Sequence, residues 1–139
     1  MLLLDNSAWA RLSLPALSDE RADEVAGLLE AGEIAVCLPF LLEAGYSARS
    51  KADHARLMAD LSALVRVEVT ADVERQALEA QSQLARVGHH RVAPSDLIIA
   101  ACAHIGGDGV LHYDHDFDVI AKRTTLTFTS EWLAPAGVL

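Results

Sequence analysis

Four carboxylates stand where charge is out of place. Asp5 is the only charged residue among the first ten. Glu43 is the only charge between Ile34 and Ala48, inside Phe-Leu-Leu-Glu-Ala-Gly-Tyr. Asp96 is the only charge between Pro94 and Ala103 and heads the run Leu-Ile-Ile-Ala-Ala. Asp114 follows Val110-Leu111-His112-Tyr113 and opens an acidic stretch with Asp116 and Asp118. Each acid lies in or beside a segment that otherwise reads as core. Burying an ionised carboxylate costs several kcal/mol or more unless it protonates, pairs or binds a cation. No Lys or Arg accompanies Asp5, Glu43 or Asp96 locally. One shared hard cation would satisfy all four acids, and an all-oxygen set suits Mg²⁺ or Mn²⁺ rather than zinc. Such an ion can activate water and orient a phosphodiester, so the chemistry expected is metal-assisted hydrolysis.

The elements that must position these acids alternate between strand and helix. Leu2–Leu4 reads as a short buried strand ending in the polar turn Asp5-Asn6-Ser7. Ser18 caps a helix through Glu30 that Gly32 stops, and Glu33–Leu38 reads as a second strand. Pro39 opens a helix to Arg49, and Asp53–Leu64 carries Leu57, Leu61 and Leu64 at helical spacing. Arg66–Val69 alternates like a strand. Thr70 and Asp72 introduce a long amphipathic helix that ends at Gly88. Pro94 opens an apolar helix to His104, Gly109–His112 reads as a strand, Phe117–Ala121 as a helical turn and Leu126–Phe128 as a last strand. This order predicts an α/β sandwich around a mostly parallel sheet, one domain over residues 1–139. Asp5 and Asp114 then fall at C-terminal strand ends, where open α/β sheets place their sites. Asp96 and Glu43, in the first and second turns of their helices, can face the same edge.

Each acid also has an ordinary explanation. Asp96 suits a helix N-terminus, Asp5 a turn, Glu43 a snorkelling position, and Asp114, Asp116 and Asp118 a solvated loop. Their joint occurrence in this order carries the metal reading. His112 and His115 flank Asp114 and invite zinc or general-base readings. The plainer expectation packs His112 in the strand and leaves His115 in solvent.

The strand ending in Asp5 with Ser7 two residues on, the isolated Glu43, Pro94-Ser95-Asp96-Leu97-Ile98-Ile99-Ala100-Ala101 and Leu111-His112-Tyr113-Asp114-His115-Asp116-Phe117 together resemble the PIN domain. The nearest resemblance is to the VapC toxins, and it runs over nearly the whole chain. It implies a three-layer α/β/α sandwich with a mostly parallel sheet. It implies Asp5 and Asp96 as principal magnesium ligands, Glu43 and Asp114 as the other acids of a quartet, and Asp116 as a further acid beside it. Ser7 matches a hydroxyl that supports the first aspartate. Asn6 departs from the threonine or serine common there and would act around the ligands rather than as one. The activity implied is Mg²⁺- or Mn²⁺-dependent endoribonuclease cleavage of structured RNA such as transfer or ribosomal RNA. The partners implied are the RNA, a cognate VapB-type antitoxin lying in the toxin's groove, and a second copy in a homodimer.

The net charge of −9 is awkward for an RNA binder. The five candidate ligands carry more than half of that excess, and bound cations would offset it. Basic residues gather at Arg49, Lys51, His54 and Arg56, and at Arg86, His89, His90 and Arg91. Arg49, Lys51, Arg86 and Arg91 are expected to contact RNA phosphates, against the alternative of ordinary solvated helix ends. Cys37 and Cys102 sit among apolar neighbours and read as buried, reduced thiols. Neither a signal peptide nor a membrane span is evident, so a soluble cytoplasmic protein is expected. A phosphatase with an aspartyl nucleophile would want an acid where Ser7 stands. A phosphoacceptor domain would want an acidic pair near the first strand and a lysine after a late strand, whereas Lys122 falls in a helical stretch. A PIN fold used only for binding is the remaining rival, and the presence of all four acids argues against it.

Overall fold

Five short strands form one sheet in the order β3 (Val65–Arg66), β2 (Ile34–Val36), β1 (Leu2–Leu4), β4 (Gly109–His112) and β5 (Thr129–Trp132), every described pairing parallel. The computed structural model describes residues 1–89 and 91–139. The helices are α1 (Asn6–Trp9), α2 (Asp19–Glu30), α3 (Leu38–Tyr46), α4 (Lys51–Leu61), α5 (Ala71–Arg86), α6 (Pro94–Gly106) and α7 (Asp116–Arg123).

Adjacent residues in a strand point to opposite faces, and Leu3 and Leu4 are both essentially inaccessible, so both faces of β1 are covered. The same holds for Ile34–Val36 and for all of β4. These short runs are the unbroken apolar segments expected of a parallel sheet with helices on each side. Register is set centrally, with Leu2 opposite both Ile34 and Gly109, and Leu4 opposite Leu111. The chain leaves β1 toward β2 and β3, then returns to the other side through β4 and β5. The β1–β4 crevice is therefore the point where strand order reverses, and its C-terminal edge is where a ligand fits.

α6 lies over that crevice, packed on β1 and β4 and flanked by α3, α5 and α7. Leu97, Ile99, Ala100, Ala101, Cys102 and Ala103 are all buried in it, as a helix apolar all round must be. Gly107 ends it at φ 68°, a left-handed conformation glycine adopts without penalty. Cys37 and Cys102 are buried free thiols, as expected, and their mutual contact together with burial pushes the Cys37 thiol up.

Several expected boundaries move. The last strand is Thr129–Trp132, not Leu126–Phe128. Leu126 instead plugs the core, and the Thr127 N–H donates to His104 Nδ1 at 2.9 Å, tying that segment to the end of α6. β3 is Val65–Arg66 rather than Arg66–Val69, and it is exposed. Both are edge strands, short and partly polar, so no apolar run marks them. α3 stops at Tyr46, where Ser47 turns back to the Ala44 carbonyl, and α4 starts at Lys51 because Ser50 caps Asp53 N–H. Asp5-Asn6-Ser7, expected as a polar turn, instead starts one turn of helix over Asn6–Trp9, with Asp5 as its cap. Among the described residues no helix is long and apolar enough to cross a membrane.

Candidate metal centre

Three of the sequence-predicted acids converge. Asp96, Asp114 and Asp116 each present a carboxylate oxygen within 4.8 Å of the other two. They arrive from different elements: Asp96 from the first turn of α6, Asp114 from the loop after β4, and Asp116 from the start of α7. The Asp116 N–H donates to Asp114 Oδ1 at 2.9 Å, which orders the loop. Asp5 and Glu43 stay outside this triad, yet both add to the negative field at Asp96.

Asp5 follows β1 and is only 3% exposed. Its Oδ2 accepts from both the N–H and the hydroxyl of Ser7, and so caps α1. The Ser7 hydroxyl in turn accepts from the Tyr113 N–H at 2.9 Å. One serine therefore ties the loop after β1 to the loop after β4. Asn6 opens α1, and among the described residues its side chain makes no hydrogen bond. Glu43, half-buried on α3, accepts from the Ser95 hydroxyl at 2.7 Å. Ser95 is the partner sequence reasoning left without a role, although its place one residue before Asp96 was the available signal.

The electrostatics are those of crowded acids. Burial, then repulsion from Asp5, Asp114, Asp116 and Glu43, pushes the Asp96 carboxyl up to about 8. Burial also raises Asp5, against the lowering effect of the Ser7 hydrogen bonds. Asp116 is raised by burial and by Asp114, while nearby His115 and His89 partly offset this. Asp96 has no hydrogen-bonded cation to relieve it among the described residues. A divalent ion bound by these oxygens would.

Neither histidine offers itself as a ligand. His112 is fully buried, its Nδ1 accepts from the Asp114 N–H at 3.1 Å, and its Nε2 meets the Ser130 hydroxyl at 2.7 Å. Burial pushes its pKa down to about 4, so it stays neutral. His115 is exposed. Asp118, outside the sequence-predicted set, accepts from Ser130 and from the Trp132 indole, clamping β5 to α7. Lys122 lies in the last turn of α7, the end opposite Asp116, so it is not placed to hold a phosphoryl group at the acids.

The basic positions scatter. Arg49 and Lys51 lie past the far end of α3, and Arg49 N–H donates to Asp53. Arg86, the last residue of α5, and Arg91, on the segment leading into α6, are both exposed, and His90 lies outside the described residues. An open groove of about 970 Å³, bordered by Ser18, Arg21, His115, Asp118 and Trp132, lies beside the triad rather than over it.

Comparison with known proteins bears on this site. The PIN-domain family profile matches residues 2–123. Ribonuclease VapC51 of Mycobacterium tuberculosis is 44% identical over 137 residues, covering 99% of this chain and 96% of its own. Ribonuclease VapC18 of the same organism is 37% identical over 139 residues, covering 98% and 97%. The toxin–antitoxin pair VapBC2 of Rickettsia felis, solved on a promoter DNA fragment, contains a chain of the same fold, with TM-score 0.72, 18% identity and coverage of 94% and 98%. VapC20 of M. tuberculosis, a sarcin–ricin-loop-cleaving toxin, superposes with TM-score 0.61 and 20% identity over 92% of this chain and 99% of its own. An α/β fold with an all-parallel five-stranded sheet, a full-length match to named relatives and acids gathered at the switch point agree on one assignment. This chain belongs to the PIN-domain family, among the VapC-type toxin ribonucleases.

Proposed function

We propose that the chain acts as a single PIN domain over residues 1–139, a metal-dependent endoribonuclease and the toxin half of a VapB–VapC pair. The observation that carries this reading is the triad of Asp96, Asp114 and Asp116 within 4.8 Å, with Asp96 buried and its carboxyl pushed up to about 8. A carboxyl crowded by like charges gains most from a divalent cation, and the all-oxygen donor set with both histidines otherwise engaged or exposed fits Mg²⁺ or Mn²⁺. Asp96, Asp114 and Asp116 would hold the ion, with Asp5 and the Ser95-braced Glu43 completing the acidic wall. When bound, the ion supplies activation of water and charge stabilisation for phosphodiester hydrolysis. The chain's own part is positioning. Ser7 fixes Asp5 against the Asp114 loop, His112 holds the Asp114 backbone, and Ser95 orients Glu43.

The relatives' ribonuclease activity supports RNA as the substrate, and structured RNA, transfer or ribosomal, is the class proposed. A VapB-type antitoxin that covers the acidic edge, assembly as a homodimer and residence in the cytoplasm complete the reading. Arg49, Lys51, Arg86 and Arg91 are the proposed contacts to RNA phosphates, through charge that salt would screen.

The test is cleavage of total bacterial RNA by wild type, Asp5→Ala and Asp96→Ala, each checked for folding, with Mg²⁺ and with EDTA. Discrete fragments that need the ion and vanish in both variants are expected. Folded wild type that leaves RNA from several sources intact in Mg²⁺ and in Mn²⁺ would turn the assignment toward a PIN fold used only for binding.

A further inference from the structure

A nuclease site made of acids repels the backbone it must hold, so a cation close to those acids is needed. Arg21, Arg56 and Arg75 are each committed to carboxylates in ion pairs. Arg11 is different. It lies just past α1, partly buried, and among the described residues it makes no ion pair. Its Nη1 donates to the Ser7 carbonyl at 2.9 Å, and its guanidinium carbon sits 4.8 Å above the centre of the Tyr113 ring.

Both anchors belong to the acidic edge. Ser7 holds Asp5 and accepts from Tyr113 N–H, and Tyr113 directly precedes Asp114. Tyr113 is itself fixed. Its hydroxyl donates to the Pro135 carbonyl at 3.3 Å and accepts from the Leu139 N–H at 2.9 Å, and its ring packs edge-on against Trp132. A guanidinium carries five N–H donors in a planar fork. The cation lies over the tyrosine ring and the Ser7 carbonyl takes one donor, so among the described residues its other N–H donors have no partner and stay available to an oxyanion.

We propose that Arg11 binds a backbone phosphate of the RNA beside the acidic cluster. This rests on the nuclease reading above and adds a residue that the sequence pattern did not single out. The guanidinium stays protonated throughout the working pH range, so its part is charge and orientation, not proton transfer.

The test measures binding and cleavage separately. A labelled RNA hairpin is titrated in Ca²⁺ at several salt concentrations with wild type, Arg11→Gln, Arg11→Lys and, as a control, Arg75→Gln, which removes an equal charge already paired with Asp72. Mn²⁺ affinity without RNA and thermal unfolding are measured on the same proteins. Arg11→Gln should weaken hairpin binding about tenfold at low salt and reduce the log–log salt slope by about 0.7–0.9, the share of one phosphate contact. Arg11→Lys should keep the slope, Arg75→Gln should change neither quantity, and Mn²⁺ affinity should survive in all. A slope unchanged in folded Arg11→Gln overturns the proposal. So does loss of Mn²⁺ affinity with the slope intact, which would make Arg11 a brace for Ser7 and Tyr113. If wild type cleaves total RNA in either of these cases, the nuclease reading stands without Arg11. If wild type neither binds the hairpin nor cleaves total RNA, both readings fall together.

Discussion

Among the described residues the Ser95 hydroxyl makes the one hydrogen bond that orients Glu43, across helices α6 and α3. Groups that orient ligands or catalytic acids without touching the reacting atoms typically matter by about 10–100-fold in activity or metal affinity. Ser95→Ala is therefore expected to slow RNA cleavage by about 10–100-fold while changing stability by no more than about 1.5 kcal/mol, the net worth of one hydrogen bond. Single-turnover rates and thermal melts on the same preparation check this. An unchanged rate would place Glu43 outside the working site. Much of this scale was legible in the chain: Asp5, Glu43 and Asp96 stood out as lone charges in apolar surroundings, and Asp114 as the acid that follows an apolar strand, because solvation makes such placement costly. Ser95, Arg11 and the Asp118–Ser130 clamp were not, because each acts through a contact between residues far apart in sequence.

At the scale of elements, β4 is squeezed between β1 and β5 at its first residue. A Cβ on Gly109 would stand 2.8 Å from Leu2 Cδ2 and 3.0 Å from the Thr129 carbonyl oxygen. The leucine can rotate, but the backbone oxygen of the neighbouring strand cannot yield without disturbing the ladder. Gly109→Ala is expected to cost about 1–3 kcal/mol, the usual penalty for overpacking. Chemical denaturation should show a lower midpoint at unchanged slope, and a variant as stable as wild type would mean that β5 relaxes freely. The helices announced themselves through caps at Ser18 and Thr70, the Pro94 start and the apolar spacing along α5 and α6. β5 did not, because Thr129-Ser130-Glu131-Trp132 at a sheet edge has no apolar face to complete and is held by Asp118 and Arg21 from other elements.

The whole molecule carries its acids at a thermodynamic cost that depends on pH. An ordinary aspartate loses its proton near 3.8, as Asp96 does in the unfolded chain, whereas the folded chain keeps that proton to about 8. Between those values the folded state binds more protons than the unfolded one, so stability falls as pH rises through the window. Asp5 and Asp116, also raised, act in the same direction. Asp118 is lowered and contributes below the window, where acid removes its stabilisation. In EDTA the melting temperature should therefore drop from pH 5 to pH 8, and Asp96→Asn should flatten that dependence. Saturating Mg²⁺ or Mn²⁺ should raise the melting temperature most at the alkaline end, where the ion replaces the proton. A metal-free protein equally stable at both ends would show that Asp96 is not electrostatically frustrated.

The chain by itself determined the alternation of strands and helices, the buried character of β1, β4 and α6, and which carboxylates are anomalous. These depend on local periodicity, capping and the cost of burying charge, all written in neighbouring residues. Tertiary structure alone decided which acids meet. Asp96, Asp114 and Asp116 form the tight group while Asp5 and Glu43 flank it, because that outcome depends on where the β1–β4 crevice, α6 and the start of α7 come together. It also decided that Arg11, rather than the more conspicuous Arg49 or Lys51, touches Ser7 and Tyr113, the residues next to the Asp5 and Asp114 loops. A charge's distance from the site is set by the fold, not by its spacing along the chain.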